Sequence, residues 1–290
     1  MDYGLCLPNF RARASAEGIE AAADVAERLD WSTVWTTDHV LVDHASVDEY
    51  GRIYEAILAL AWVGARHQAL RLGTSVIVVP QRNAVLLAKE LATLDGLSGG
   101  RLTVGVGIGW NRTEFGNLGM AERFGVRGAY LDETIALWRH LWSGSQEPFH
   151  GRFHTIDDFE FEPLPVQSPL PIVIGGRAEP ALQRVGRVGD GYHSSSTSPA
   201  LYAQRLPVIR AAAEAAGRPM PSLSARANVV FGPTDDTSYS MRGTPEEIAA
   251  EVRAFAEVGV THVALAFGTT DAAEVVARAE RFAREVAPLV

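Results

Sequence analysis

Short β-branched apolar runs alternate with longer amphipathic stretches along the whole chain. Eight runs read as strands: Tyr3 to Leu7, Thr33 to Thr36, Leu72 to Val79, Leu102 to Gly107, Ile172 to Gly175, Gly191 to Ser194, Ser222 to Phe231 and His262 to Phe267. Each precedes a stretch of helical length: Ala16 to Leu29, Ile53 to His67, Ala84 to Leu97, Arg127 to Trp142, Glu179 to Val188, Pro199 to Ala216, Pro245 to Val258 and Ala272 to Val286. Strand followed by helix is the pattern of a parallel sheet with crossover helices. An open doubly wound sheet uses about five or six strands and a fingerprint turn after the first, whereas eight units in about 250 to 300 residues match a closed barrel. The predicted fold class is α/β, a single (β/α)8 TIM barrel over residues 1–290.

Helix punctuation agrees with this division. Gly243-Thr244-Pro245-Glu246-Glu247 offers a Thr N-cap, Pro at the first helical position and Glu at the third, and that helix should end before Gly259. Two segments, Val40 to Arg52 and Ser143 to Leu170, belong to no unit and read as insertions. In the second, Pro163, Pro165 and Pro169 forbid a helix, and Phe149 to Phe161 alternates like a hairpin.

Composition narrows the function classes. With 47% hydrophobic and 21% charged residues the chain can build a large core, so disorder is excluded. No apolar run reaches the roughly 18 residues a membrane span needs, and the first residues carry no export signal, so a soluble cytoplasmic protein is expected. A net charge of -9 offers no general attraction to nucleic acid or anionic membranes. Cys6 is the one cysteine, which excludes an internal disulfide and a thiolate cluster. The histidines other than His39 show no paired ligand spacing, so no metal is expected.

In such barrels chemistry sits at the carboxyl ends of the strands. After the second strand come Asp38 and His39, an acceptor beside a proton carrier, or else a capping pair. The run from Thr103 to Asn111 has glycine at every second position through Gly109. This either bares a strand face for a flat ring or phosphate, or lets a neighbouring strand pack closely. It is not the dinucleotide fingerprint, because Trp110 and Arg112 stand where the last glycine would be required. Gly175-Gly176-Arg177 combines bare amides, a helix N-terminus and a guanidinium, a cradle for phosphate or a plain turn. Ser194 to Thr197 adds hydroxyls for the same anion or for a helix cap. The Walker, HExxH and GxSxG signatures are absent.

Several short motifs in one order carry a resemblance over nearly the whole chain. They are Thr37-Asp38-His39, Leu72-Gly73-Thr74-Ser75-Val76, Ala88 to Asp95 with Leu97 to Arg101, Gly105 to Asn111, Ile174-Gly175-Gly176 and Gly189-Asp190-Gly191. In these the chain resembles the luciferase-like monooxygenase family of flavin- and deazaflavin-dependent barrels, in its coenzyme F420-dependent oxidoreductase branch.

The resemblance implies F420, with FMN as the alternative, in the barrel mouth, and hydride chemistry on its ring. It implies that Asp38 contacts the cofactor, that Ser75-Val76 forms a non-proline cis peptide under one ring face, and that Ile108 and Gly109, with Gly175, Gly176 and Arg177, hold the tail. His39 would be the catalytic proton carrier. Phe10, Trp35, Tyr54 and Trp110 are expected to line the pocket of a small, apolar organic substrate. A homodimer is implied, and a flavin reductase partner only if the cofactor is FMN. Because a deazaflavin does not readily activate oxygen, F420 would mean dehydrogenation or reduction. The family's sugar-phosphate dehydrogenases carry a glutamate where Trp110 stands, and their phosphate-binding lysines have no match near Ser195 to Thr197, so glucose 6-phosphate is not the expected substrate.

Overall fold

The computed structural model describes residues 1–234 and 238–290. Eight parallel strands run β1 (Asp2–Cys6), β2 (Thr33–Thr36), β3 (Arg71–Thr74), β4 (Leu102–Gly107), β5 (Ile172–Ile174), β6 (Gly191–Ser195), β7 (Ser222–Phe231) and β8 (His262–Ala266). Each pairs with the next in sequence. The pairing of Tyr3 with Val263 and Gly4 with Ala264 joins β8 back to β1 and closes the barrel. The helices that follow the strands are α1 (Ala16–Arg28), α2 (Ala56–Gly64), α3 (Ala84–Leu97), α4 (Arg127–Trp142), α5 (Glu179–Val188), α6 (Pro199–Ala215), α7 (Pro245–Glu257) and α8 (Ala272–Glu285).

The main core lies between the strands and the helix ring. Ile19, Ala22, Ala23 and Ala26 of α1 and Leu131, Ile135 and Trp138 of α4 face inward and are buried. Each large aliphatic side chain so buried contributes about 1.5–3 kcal/mol. The Trp138 indole N–H donates to the Ala84 carbonyl at 2.9 Å, so burial leaves no polar atom unpaired there. The capping box forms as expected: Thr244 accepts from the Glu247 amide, and the Glu247 carboxylate accepts from the Thr244 amide.

The expected third strand, Leu72 to Val79, is interrupted. It ends at Thr74, passes through a cis Ser75–Val76 peptide, and resumes as Ile77–Val78 against Val106 and Gly107 of β4. The glycines of β4 make room for this path. A Cβ on Gly105 would lie 1.8 Å from the Thr74 carbonyl oxygen, and one on Gly107 would lie 2.7 Å from Val76 Cγ2. Of the two readings left open for the alternating glycines, close packing of a neighbouring strand holds at these positions. The expected helix from Ile53 to His67 shortens to α2, because Glu55 caps it by accepting from the Leu58 amide.

The two segments read as insertions hold short elements of their own. The first folds as a turn at His44–Ser46 and a short helix at Val47–Tyr50, and the second holds an antiparallel hairpin of Phe149–His150 and Thr155–Ile156. Several elements were not expected. A short helix, Arg112–Asn117, follows β4, and Ser240–Gly243 adds a parallel strand to the far end of β7. No helix among the described residues is long and apolar enough to cross a membrane.

Candidate active site

A cavity of about 580 Å3 opens at the carboxyl ends of the strands, within the usual size range for small-molecule sites. It brings together Asp38, His39, Ser75, Val76, Ile108, Gly109, Trp110, Gly175, Gly176 and Arg177, drawn from the ends of β2, β3, β4 and β5.

His39 is buried, and its Nδ1 lies 2.8 Å from Glu114 Oε2. Glu114 stands in the first turn of the unexpected short helix, which Asn111 caps by accepting from the Glu114 amide. Its carboxylate also accepts from the amides of Val40 at 2.6 Å and Leu41 at 3.1 Å, and from Gln81 Nε2 at 3.0 Å. Burial works to raise its pKa, but the hydrogen bonds from His39, Val40 and Gln81 outweigh it and take the carboxyl down to about 2. An ionised carboxylate can only accept, so His39 Nδ1 carries the shared proton and Nε2 is the ring nitrogen left for a ligand. Tyr50 at 4.4 Å and Trp110 at 5.6 Å, centroid to centroid, wall the imidazole on two sides.

Asp38 lies at the same rim with its carboxylate engaged. Arg82 donates to Oδ1 at 2.7 Å, and the Val78 amide donates to Oδ2 at 2.9 Å. Asp38 therefore pins the resumed third strand beneath the cavity. Burial tends to lower the pKa of Arg82, and the carboxylates of Asp38 and Glu55 more than offset this, so the guanidinium stays charged.

Below the cavity lies a second histidine. His193 is fully buried, with Nε2 2.9 Å from Ser75 Oγ and Nδ1 2.8 Å from Ser224 Oγ. Burial pushes its pKa down to about 3, and the nearby His262 and Arg226 push the same way, so it is a neutral scaffold for Ser75. Arg226 enters the cavity from β7. Its guanidinium donates to Thr37 Oγ1 and to the Ser75 carbonyl, both at 2.9 Å.

On the β5 side, Gly176 has φ +140°, a conformation that favours glycine. It leads into α5, whose N-cap residue, Ala178, supplies no side-chain hydrogen bond. Arg177, Ala178, Ser195 and Ser196 line one end of the cavity. This fits a phosphate-bearing tail. Helix α6 is capped by Ser198, so Ser195 and Ser196 are not spent on that cap.

Three of the residues expected at the substrate pocket lie elsewhere. Trp35 sits one layer deeper, stacked on His193 with centroids 4.5 Å apart, in space left by Gly4 and Gly73, where added Cβ atoms would strike its ring. Phe10 stands behind the wall, stacked on Tyr50 at 5.6 Å and lining a small neighbouring recess. Tyr54 lies outside the barrel in an apolar groove with Ile19, Leu58 and Trp62. Asn9 Nδ2 donates to the carbonyls of Thr37 and Tyr54 and holds the end of the insertion, and it is Tyr50 that faces the cavity.

Sequence reasoning missed Glu114, Tyr50 and Arg226. Only Glu114 had a legible signal: Asn111 followed three residues later by an acid is an N-terminal helix signature placed at a strand end.

The fold is a closed (β/α)8 barrel whose cavity gathers a buried histidine–carboxylate pair and the Gly175–Gly176–Arg177 turn at the carboxyl ends of the strands. A family model described as luciferase-like monooxygenase matches residues 1–241, and the chain belongs to that family. The F420-dependent glucose-6-phosphate dehydrogenase of Nakamurella multipartita is 32% identical over 248 residues, covering 81% of this chain and 70% of that protein. The solved structure of an F420-dependent secondary alcohol dehydrogenase in complex with an F420-acetone adduct superposes with a TM-score of 0.85 at 18% identity, over 100% of this chain and 99% of that one. The oxygenating constituent of 3,6-diketocamphane monooxygenase from Pseudomonas putida, in complex with FMN, superposes with a TM-score of 0.82 at 15% identity, over 100% and 99%. Both solved structures share the fold with this chain.

Proposed function

We propose that this chain is an F420-dependent oxidoreductase in which hydride passes between a deazaflavin and a small organic substrate. The observation that carries the reading is the His39–Glu114 pair, set at the rim of one cavity with the Val76 platform and the Gly175–Gly176–Arg177 cradle. These residues fit a flat ring with a phosphate-bearing tail. Val76 offers an apolar surface beside bare Gly107 and Gly175, and Arg177, Ser195 and Ser196 stand at the tail end. When bound, the deazaflavin supplies the hydride donor or acceptor.

Glu114 holds His39 in one tautomer, so that Nε2 takes or gives the proton that accompanies hydride at a substrate oxygen. Arg226 pairs only with neutral oxygens in the described structure and can hold a polar group of the substrate. Tyr50 and Trp110 supply an aromatic wall and keep water from the imidazole. The chain's one lysine, Lys89, donates to the Glu162 carbonyl and lies over Phe161, away from the cavity, which supports an organic substrate other than a sugar phosphate. The same reading includes a homodimer, tested by sedimentation of the purified protein.

The FMN alternative is supported by fold likeness alone, whereas the 32%-identical relative is named for F420. Titrating the purified protein separately with F420 and FMN tests the reading. Saturable F420 binding with no comparable FMN binding is expected, and selective FMN affinity overturns it. In His39→Ala, turnover should fall about 100-fold or more while F420 affinity changes little, and unchanged turnover refutes the proton role.

A further inference from the structure

At the opposite end of the barrel from the cavity, α1 and the connection between α2 and β3 bring three potential ligands together. Glu20 and Asp24 are four residues apart, so both project from one face of α1. His67 lies in the connection, 4% exposed, with Nε2 3.7 Å from Glu20 Oε1 and 3.9 Å from Asp24 Oδ1. Among the described residues this is the group of three such side chains whose donor atoms converge, all within 4.8 Å of one another.

Two further observations point to something held between them. His67 Nε2 and Glu20 Oε2 are buried and have no hydrogen-bond partner. A buried polar atom without a partner is costly, so an orphaned nitrogen aimed at two carboxylates calls for an occupant. The other ring nitrogen, Nδ1, lies 2.8 Å from Glu27 Oε2, one turn further along α1. A carboxylate that accepts from Nδ1 fixes the tautomer with a lone pair on Nε2, which is the usual outer-shell arrangement behind a metal-bound histidine. The connection is itself held in place, because Arg101 donates to the carbonyls of His67, Leu70 and Gly64.

We infer that Glu20, Asp24 and His67 form a binding site for a divalent transition metal of the Zn2+ type, with Glu27 orienting the imidazole. One imidazole and two carboxylates suit Zn2+ better than Mg2+ or Ca2+, which prefer all-oxygen sets. Ligand atoms around tetrahedral zinc stand roughly 3.3 Å apart, from bonds of about 2.0–2.2 Å. The present separations close to that with small side-chain movements, mainly of Asp24, whose side chain is 63% exposed. Arg66 Nε lies 3.6 Å from Glu20 Oε1 at the cluster's edge. Its guanidinium rests 4.1 Å over the Trp62 ring and can remain there. With three protein ligands, water completes the shell. Its position at the strands' amino ends makes the metal a clip between α1 and β3, separate from the reaction.

The test uses the full-length protein after chelator treatment and dialysis, titrated with Zn2+, Mg2+ and Ca2+ by calorimetry, with melting followed in parallel. One Zn2+ per chain is expected, with a dissociation constant on the order of micromolar or tighter and a melting temperature raised by about 3 °C or more at saturation. His67→Gln and Asp24→Asn should each weaken binding at least about tenfold. His150→Gln, on the exposed hairpin, should bind like the parent. If His67→Gln does not fold, the surface double variant Glu20→Gln/Asp24→Asn takes its place. Absence of saturable Zn2+ binding, full affinity in the ligand variants, or preference for Mg2+ or Ca2+ overturns the assignment.

Discussion

Glu114 reaches His39 because it stands in the first turn of the short helix that follows β4, and that geometry makes the carboxylate a positioning group. Glu114→Gln keeps the shape but removes the charge that fixes the His39 tautomer. Turnover should fall about 10- to 100-fold with F420 affinity within about threefold, and the acid limb of the pH profile should move; an unchanged profile would reduce Glu114 to a structural role. Stability should respond to acid most through His193 and Glu114, the groups with the large downward shifts. Unfolded His193 binds a proton near the ordinary 6.5 while the folded side chain waits until about 3, so the unfolded chain binds more protons in that window and stability drops as the pH descends through it. Glu114 adds a second loss between 4.5 and about 2. Urea midpoints at pH 7.5, 5.5 and 4 should decline in order, and His193→Gln should flatten the upper step. His39, Asp38 and the Gly175 cradle were legible because strand ends in a barrel announce chemistry. Arg226 was not, since a single arginine inside β7 carries no local signal of facing the cavity.

Among the elements, the interrupted third strand and the bare fourth depend on each other. Gly105→Ala would drive a methyl into the Thr74 carbonyl and should cost about 2 kcal/mol or more, read as a lower urea midpoint. Thr244→Ala removes one half of the capping box on α7 and should cost about 1 kcal/mol. Apolar periodicity placed all eight strands and eight helices, with β2, β4, β7, α3, α4 and α5 matching end to end. It could not place the Tyr50/Tyr54 choice. The end of the first insertion is held by the Asn9 side chain, a contact across 45 residues that no local pattern encodes.

At the scale of the whole molecule, closure of β8 onto β1 makes every strand depend on two neighbours, so the chain should unfold as one domain. Tryptophan fluorescence and far-ultraviolet circular dichroism should give superimposable urea transitions, and two separated midpoints would refute a single cooperative unit. The same closure divides the labour of the site. Asp38, His39, Val76, Trp110 and Glu114 come from the first four strand-helix units, whereas Gly175, Gly176, Arg177, Ser195 and Arg226 come from the last four. On the proposed reading, a chimera joining the first half of this barrel to the second half of a relative would take its His39–Glu114 pair from one parent and its Gly175–Gly176–Arg177 turn from the other, so proton handling and that part of the grip on the cofactor could be exchanged separately.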